Sequence, residues 1–526
     1  MATAELARTD DDASGGVSAS APAEIDSRQR LRDRLVPPMP ATAWGWTGPI
    51  LVTAIAGVLR FHRLGIPRAF VFDETYYAKD AWSLLQYGYE RNWRPADEAD
   101  ALVVDGVLQD VWGEGPAYVV HPPFGKWMIA AGEWAFGLTP FGWRFIVALL
   151  GTLSVLMVAR IARRMFRSTL LGCIAGLLLA LEGLHYVVSR TALLDGVLMF
   201  WVLAAFGCLI VDRDRARSLL AAGRINLGLR PWRIAAGLCL GAACATKWSG
   251  LYYVAAFGLL TVLWDVGARR SAGAQHPWNA MLRRDAIPAF VSIVVVTVVT
   301  YLMSWIGWFA TSDGWDRQWA AGRESAWAFV PGPLRSLWHY HATMLDFHTG
   351  LDSEHPYDSD AWGWLLMMRP VSFFYSTIDR GELGCTADQC SREVLGLGSP
   401  PLWWAGAASL LVLVWLWIGR RDWRAGAILC AVAAGYLPWF LYDERTIFSF
   451  YAVVFSPFIV LAVTMVLGVV LGPVGASATR RRNGAVIAGA YVLVVVASFA
   501  YFYPVYAARV MPYADWIQHM WLRSWI

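Results

Sequence analysis

Eleven apolar runs, most of them close to 20 residues long, dominate this chain: 44–62, 143–162, 168–186, 192–211, 233–247, 250–266, 286–308, 402–419, 425–441, 449–471 and 484–503. A helix rises 1.5 Å per residue, so about 20 apolar residues cross the hydrocarbon of a bilayer. Composition agrees. The chain is 57% hydrophobic and 16% charged, where a soluble domain is nearer a quarter charged. Its 30 tryptophans fit a protein with long membrane–water boundaries, where Trp concentrates. The sequence predicts an all-α integral membrane protein with about eleven transmembrane helices. Residues 41–526 form one polytopic unit. The runs 233–247 and 250–266 are separated only by a tight turn at Lys247–Gly250.

Arginine placement orients the spans. Arg28 to Arg34, Arg160 to Arg167, Arg213 to Arg217, Arg269 to Arg284, Arg420 to Arg424 and Arg480 to Arg482 all fall on one side of an eleven-span chain. That side is expected to be cytoplasmic, with the N-terminus in and the C-terminus out, as in a multi-pass protein of the cell membrane. Residues 1–40, rich in Ala, Ser, Asp and Arg, read as a disordered cytoplasmic tail without a signal-peptide core. Two outer connections are long, 63–142 and 309–401. The first carries two amphipathic stretches, 74–87 and 123–136, expected as helices in the interface plane.

Chemistry-bearing residues gather on the outer side. Asp73 and Glu74 lie adjacent in FVFDETYYAKDAW. One reading is two acids at a helix N-terminus, where the dipole favours them. Another is a carboxylate whose pKa is raised by burial and like charge, as a general base requires. A third is a divalent cation held between Asp73 and Glu74. His121 and Lys126 (HPPFGK), Arg144 and Lys247 are positive groups expected on the same surface. Together they suggest a site for a phosphate beside a base. No glycine pattern for a soluble nucleotide is present, and nothing points to nucleic acid, so the phosphate belongs more naturally to a lipid. Asp195, in ALLDGVLMFW, sits at hydrocarbon depth and needs a partner, either Arg190 in a structural pair or the site itself. Arg190 equally suits a helix end, Glu182 a structural role, and Arg369 a contact from the second loop. Cys385 and Cys390 lie in a polar loop and suit a short disulfide; the other five cysteines lie in apolar runs.

Five stretches resemble one family: LRFHRLGIPRAFVFDETYYAKDAW (59–82), HPPFGKW (121–127), SRTALLDG (189–196), ATKWSGLY (245–252) and RTIFSFYAVVFSP (445–457). Together they are similar to the protein O-mannosyltransferases of actinobacterial type, glycosyltransferase family 39. The resemblance implies a GT-C architecture with its catalytic residues in the first outer loop. It implies transfer of mannose, with inversion, from polyprenyl-phosphate-mannose to Ser or Thr hydroxyls of secreted proteins and lipoproteins near the translocon. Carried onto this chain, Asp73 would be the base and Glu74 would orient the acceptor or share that role. Arg144 and Lys247 would hold the donor phosphate with Lys126 and His121 nearby, and Asp195 would order the site. The eukaryotic members insert a folded β-rich domain in the second large loop. Residues 309–401 are too short for one. Trp315, Trp327, Trp338, Trp362 and Trp364 suit either a sugar platform or packing of the loop on the membrane surface.

Two other readings stay open. A related lipid-phosphate-sugar transferase would act on a glycolipid or wall glycan. A transporter or flippase would carry acids at the bilayer midplane, where this chain places only Asp195.

Overall fold

The computed structural model describes residues 31–33, 35–36, 44–442, 444–473 and 475–526. Most of the expected tail, 1–40, lies outside the described residues. The first apolar run gives α1 (Trp44–Phe61), and the first long loop then folds as α2 (Glu74–Tyr87), β1 (Arg91–Trp93), α3 (Ala96–Val104), β2 (Trp112–Pro116) and α4 (Phe124–Phe136). The bundle continues with α5 (Pro140–Phe166), α6 (Thr169–Ala180), α7 (Gly183–Val188), α8 (Leu194–Ala221), α9 (Pro231–Cys244), α10 (Gly250–Ser271) and the helical segment α11 (Ala286–Ser304). The second loop holds α12 (Gly332–Gly350), β3 (Val371–Asp379) and β4 (Gln389–Gly396). The last spans are α13 (Pro400–Arg420), α14 (Trp423–Leu441), α15 (Ser449–Leu471) and α16 (Ala478–Tyr506), followed by β5 (Met511–Pro512).

All eleven apolar runs are helical, but among the described residues eight helices are long and apolar enough to cross a membrane. The count of eleven is therefore not confirmed by length and composition. The other three runs give α1, with Trp, Gly and Pro in its first turns, and the shorter α6 and α9. The run 168–186 breaks at Glu182, whose carboxylate accepts from the backbone N–H groups of Leu184 and His185 and so starts α7 instead of extending α6. Both predicted interfacial helices form, as α2 and α4. The strands were not expected. Apolar alternation over 371–379 is masked by aromatic density, and the β3–β4–β5 sheet is closed by residues more than 100 positions away.

The arginine-rich connections meet at one end of the bundle. Arg160 donates to the Gly45 carbonyl, Arg164 and Arg167 pair with Asp214, Arg213 lies over Trp423, and Arg269 pairs with Asp285. Arg230 and Arg233 share Asp212 and Asp265 in a buried four-charge cluster. The long loops and the C-terminal residues gather at the opposite end.

Helix α9 carries Gly237 and Gly241, four residues apart, against α11. A Cβ on Gly237 would lie 1.9 Å from the Ser292 carbonyl oxygen, and Thr297 donates to the Gly237 carbonyl at 3.0 Å. Small residues at this spacing let two backbones touch inside a membrane, where no hydrophobic effect presses helices together. Gly237→Ala is expected to cost about 1–3 kcal/mol by forcing the helices apart. Gly258→Ala, whose methyl would find its nearest neighbour at 3.7 Å, should leave the thermal midpoint in detergent unchanged.

Candidate active site

The segment entering α2 is locked before the helix begins. Phe72 adopts φ +52°, a left-handed conformation that costs a non-glycine residue about 1–3 kcal/mol. Its ring offsets that cost by packing among Phe373, Phe448 and Phe450, with centroids at 5.2, 5.9 and 5.5 Å. Asp73 follows at the N-cap position, yet its side chain makes no capping bond. It accepts instead from the Tyr77 hydroxyl, one helical turn on, at 3.3 Å. Burial pushes the Asp73 carboxyl up to about 6; the Lys247 ammonium pulls it back and the Asp195 carboxylate pushes it further. Asp73 at the N-cap and Glu74 in the first turn also stand where the helix dipole favours acids; what Asp73 lacks is a hydrogen bond to the first N–H groups of the helix.

Glu74, one residue later, is used quite differently. It is fully buried and forms a two-pronged pair with Arg144, Nε to Oε1 at 2.8 Å and Nη2 to Oε2 at 2.7 Å. The same carboxylate accepts from the backbone N–H groups of Val71 and Ala192, each at 2.9 Å. The remaining Arg144 donors go to the carbonyls of Leu64, Pro67 and Ala69. A guanidinium has five N–H groups, and all are engaged. Arg144 is therefore a structural clamp and not the expected phosphate ligand, and Glu74 is not free to share the base role or to bridge a cation with Asp73. Among the described residues no group of three or more His, Cys, Asp or Glu side chains is arranged to hold a metal.

Lys247 is the cation that faces Asp73. Its ammonium donates to both Asp195 oxygens, at 3.0 and 3.1 Å, and lies 4.8 Å above the Tyr451 ring. An ammonium has three donors, so one N–H has no protein acceptor among the described residues. Asp195 thus pairs with Lys247 and not with Arg190. The turn carrying Lys247 is set by α4: the Phe124 N–H donates to the Ala245 carbonyl at 3.1 Å. A Cβ at Gly125 would lie 2.7 Å from Thr246 and 2.8 Å from Leu194, so only glycine in HPPFGK allows this approach.

A cleft of about 270 Å³ opens over Lys247, lined by His121, Trp248, His348, Tyr442, Arg445 and Tyr451, among others. It is slightly smaller than the sites that hold drug-sized ligands. His121 stacks on His348 with centroids 5.2 Å apart, and burial, with Lys247 nearby, holds its imidazole well below the usual range. It is neutral, and so contributes no positive charge. His348, pushed down to about 4 mainly by burial, donates from Nε2 to the Val120 carbonyl at 2.7 Å and so fixes the HPPFGK loop to α12. Arg445 lies 3.5 Å from the other His348 nitrogen, and its buried Nε has no partner among the described residues.

Four expected positives therefore resolve into one cation in the cleft. Lys126 is buried against Glu90 and Asp80, and there burial pushes Asp80 up to about 6. Arg190 caps the C-terminal end of α1 through the carbonyls of Leu59, Arg60, His62 and Arg63. Arg369 binds the carbonyls of Pro356, Ser524 and Ile526, securing the C-terminal segment away from the cleft. Cys385 and Cys390 are disulfide-bonded. None of the five tryptophans named in the second loop lines the cleft. Trp364 is buried, while Trp327, Trp338 and Trp362 are exposed. Sequence reasoning passed over Tyr77, His348, Arg445 and Tyr451. Tyr77 was within reach, four residues from Asp73 on a helix, and Arg445 and Tyr451 stand in the noted 445–457 motif.

The two neighbouring acids should respond oppositely to amide substitution. Glu74→Gln leaves Arg144 charged and buried, and is expected to destabilise the fold by about 3–5 kcal/mol. Asp73→Asn, which breaks no ion pair, should keep the parental thermal midpoint in detergent.

Residues 50–306 match the family model described as dolichyl-phosphate-mannose-protein mannosyltransferase, and residues 333–525 match that of the C-terminal four-transmembrane region of protein O-mannosyltransferase. The chain is 40% identical over 503 residues to a polyprenol-phosphate-mannose–protein mannosyltransferase of Mycobacterium tuberculosis (strain CDC 1551 / Oshkosh), covering 91% of this chain and 92% of the relative. It is 34% identical to the protein of that name in Corynebacterium glutamicum, covering 90% and 91%. Its fold matches a chain of the Saccharomyces cerevisiae protein O-mannosyltransferase Pmt1–Pmt2 complex bound to the sugar donor, with TM-score 0.70 at 16% identity, over 95% of this chain and 94% of that one. Near-complete coverage by relatives and by two family models assigns this multi-pass membrane chain to the protein O-mannosyltransferase family.

Proposed function

We propose that this enzyme transfers mannose from polyprenyl-phosphate-mannose to the hydroxyl of a Ser or Thr in a secreted protein, with Asp73 as the general base. The observation that carries the assignment is the contrast between the two acids. Glu74 is saturated by Arg144 and two backbone N–H groups, whereas Asp73 has one long bond from Tyr77 and a raised pKa beside a lysine. The names of the relatives support the donor and the protein acceptor.

The chemistry divides along the cleft. Lys247 and Arg445 face the donor phosphate; Arg445 supplies a fork of donors and Lys247 a point charge. Polyprenyl phosphate is a good leaving group at neutral pH and needs no proton. The acceptor hydroxyl is the poor partner. Asp73 takes its proton as the acceptor oxygen forms a bond to the anomeric carbon and the bond from that carbon to the phosphate oxygen breaks. Attack opposite the phosphate inverts the centre, from a β-linked donor to an α-linked product. Tyr77 holds the Asp73 carboxylate in one orientation, and Asp195 holds Lys247. The site sits at the end of the bundle opposite the arginine clusters. The bias of positive charge toward the cytoplasm supports an extracytoplasmic site on the cell membrane, the side on which secreted acceptors leave the translocon.

The test is transfer of labelled mannose from polyprenyl-phosphate-mannose to a Thr-rich peptide. Asp73→Asn should lower kcat by about 10²–10⁴-fold, the usual contribution of a general base. Lys247→Ala and Arg445→Ala should instead raise the KM for the donor, by about ten- to a hundredfold. Label in glycolipid but not in peptide would favour the wall-glycan acceptor, and a chelator arm tests the divalent-cation reading.

Asp73 must be ionised to accept a proton. The rate should therefore rise about tenfold per pH unit below about 6 and level off above it. A pH profile of kcat/KM flat from 5 to 8 would remove Asp73 from the base role.

A further inference from the structure

A second cavity lies at the opposite end of the molecule, with a volume of 790 Å³, between the ends of α5, α13 and α15 and the starts of α6, α14 and α16. Its charged lining is Arg167, Arg424, Arg481 and Arg482 against a single carboxylate, Asp422. Arg424 spends its guanidinium on Asp422, and Arg167 on Asp214. The side chains of Arg481 and Arg482 have no hydrogen-bond or ion-pair partner among the described residues. The rest of the wall is apolar: Leu170, Leu171, Leu416, Met465 and Val469 among others. Leu170 and Val469 are exposed, as are Val486 and Ile487 beyond the cavity on α16. In a bundle of membrane-spanning helices, such exposed apolar residues face lipid tails.

We propose that this cavity binds an anionic phospholipid, its phosphate between Arg481 and Arg482 and its acyl chains along the apolar walls of α6, α13 and α15. Three features select that occupant. The lining carries an excess of positive charge, with two arginines uncommitted. Basic pockets between helices at the arginine-rich end of a membrane protein meet anionic headgroups. The apolar wall runs out onto the lipid-facing surface, which a free phosphate or a soluble anion would leave uncovered. The site is remote from Asp73 and Lys247 and independent of the chemistry proposed there.

The experiment uses the full-length protein in detergent, stripped of lipid and titrated with phosphatidylglycerol or phosphatidylcholine of the same acyl chains, with retained lipid counted by native mass spectrometry. Phosphatidylglycerol should be retained in preference to phosphatidylcholine. The double variant Arg481→Ala/Arg482→Ala should weaken its retention by about ten- to thirtyfold, as two interfacial cations would. Arg481→Lys/Arg482→Lys should keep most of it. Both side chains are exposed and unpaired, so an unchanged thermal midpoint confirms that the variants are folded. Equal retention of the two lipids by the parent protein overturns the proposal. So does undiminished phosphatidylglycerol binding by the alanine variant. Complete displacement of the lipid by equimolar inorganic phosphate would show that the tails contribute nothing, and would also overturn it.

Discussion

The buried pair between Glu74 and Arg144 is the contact on which the active end of the molecule depends. It joins the entry to α2 to the first turns of α5, and through the Ala192 N–H to the start of α8. A buried charge is costly unless its hydrogen-bonding capacity is filled, and here both partners are filled: Arg144 by one carboxylate and three carbonyls, Glu74 by one guanidinium and two amides. Such a closed network tolerates one arrangement. It holds the backbone from Leu64 to Glu74 against the bundle, and Asp73, one residue before the clamp, inherits that rigidity without sharing the charge neutralisation.

The same rule explains the contrast between neighbouring acids. An acid with a dedicated arginine is stable and chemically inert. An acid beside a lysine already claimed by another carboxylate keeps a raised proton affinity. Lys247 divides its field between Asp195, which it bonds, and Asp73, which it only approaches. At the other end of the bundle, Arg230, Arg233, Asp212 and Asp265 cancel one another within hydrocarbon-flanked helices. Paired charges there bind α8, α9 and α10 together, while Arg481 and Arg482, left over at the rim, line the cavity between the helix ends.

Much of the architecture was legible in the sequence because a bilayer imposes a length on every span and a charge bias on every connection. The interfacial helices α2 and α4 were legible from amphipathic spacing, and the disulfide from two cysteines in a polar loop. The span count was less secure. α1, α6 and α9 are held by neighbours rather than by their own length, Gly237 against Ser292 being the clearest case. The strands of the second loop were not legible, since β4 pairs with β5 across the whole of the last four spans.

By itself the sequence determined the solvent this chain folds in, the set of apolar runs that become helices, and a set of residues, Asp73, His121, Asp195 and Lys247, that the fold brings near one another. Those properties follow from local composition and spacing. Which cation meets which acid was decided only by the tertiary structure. Arg144 and Lys126 carry the same sign of charge as Lys247 and lie in motifs as distinctive, yet helix packing gives each a buried carboxylate and leaves Lys247 and Arg445 over the cleft. Electrostatic partnership is a property of distance and desolvation, and neither is written in the order of residues along the chain.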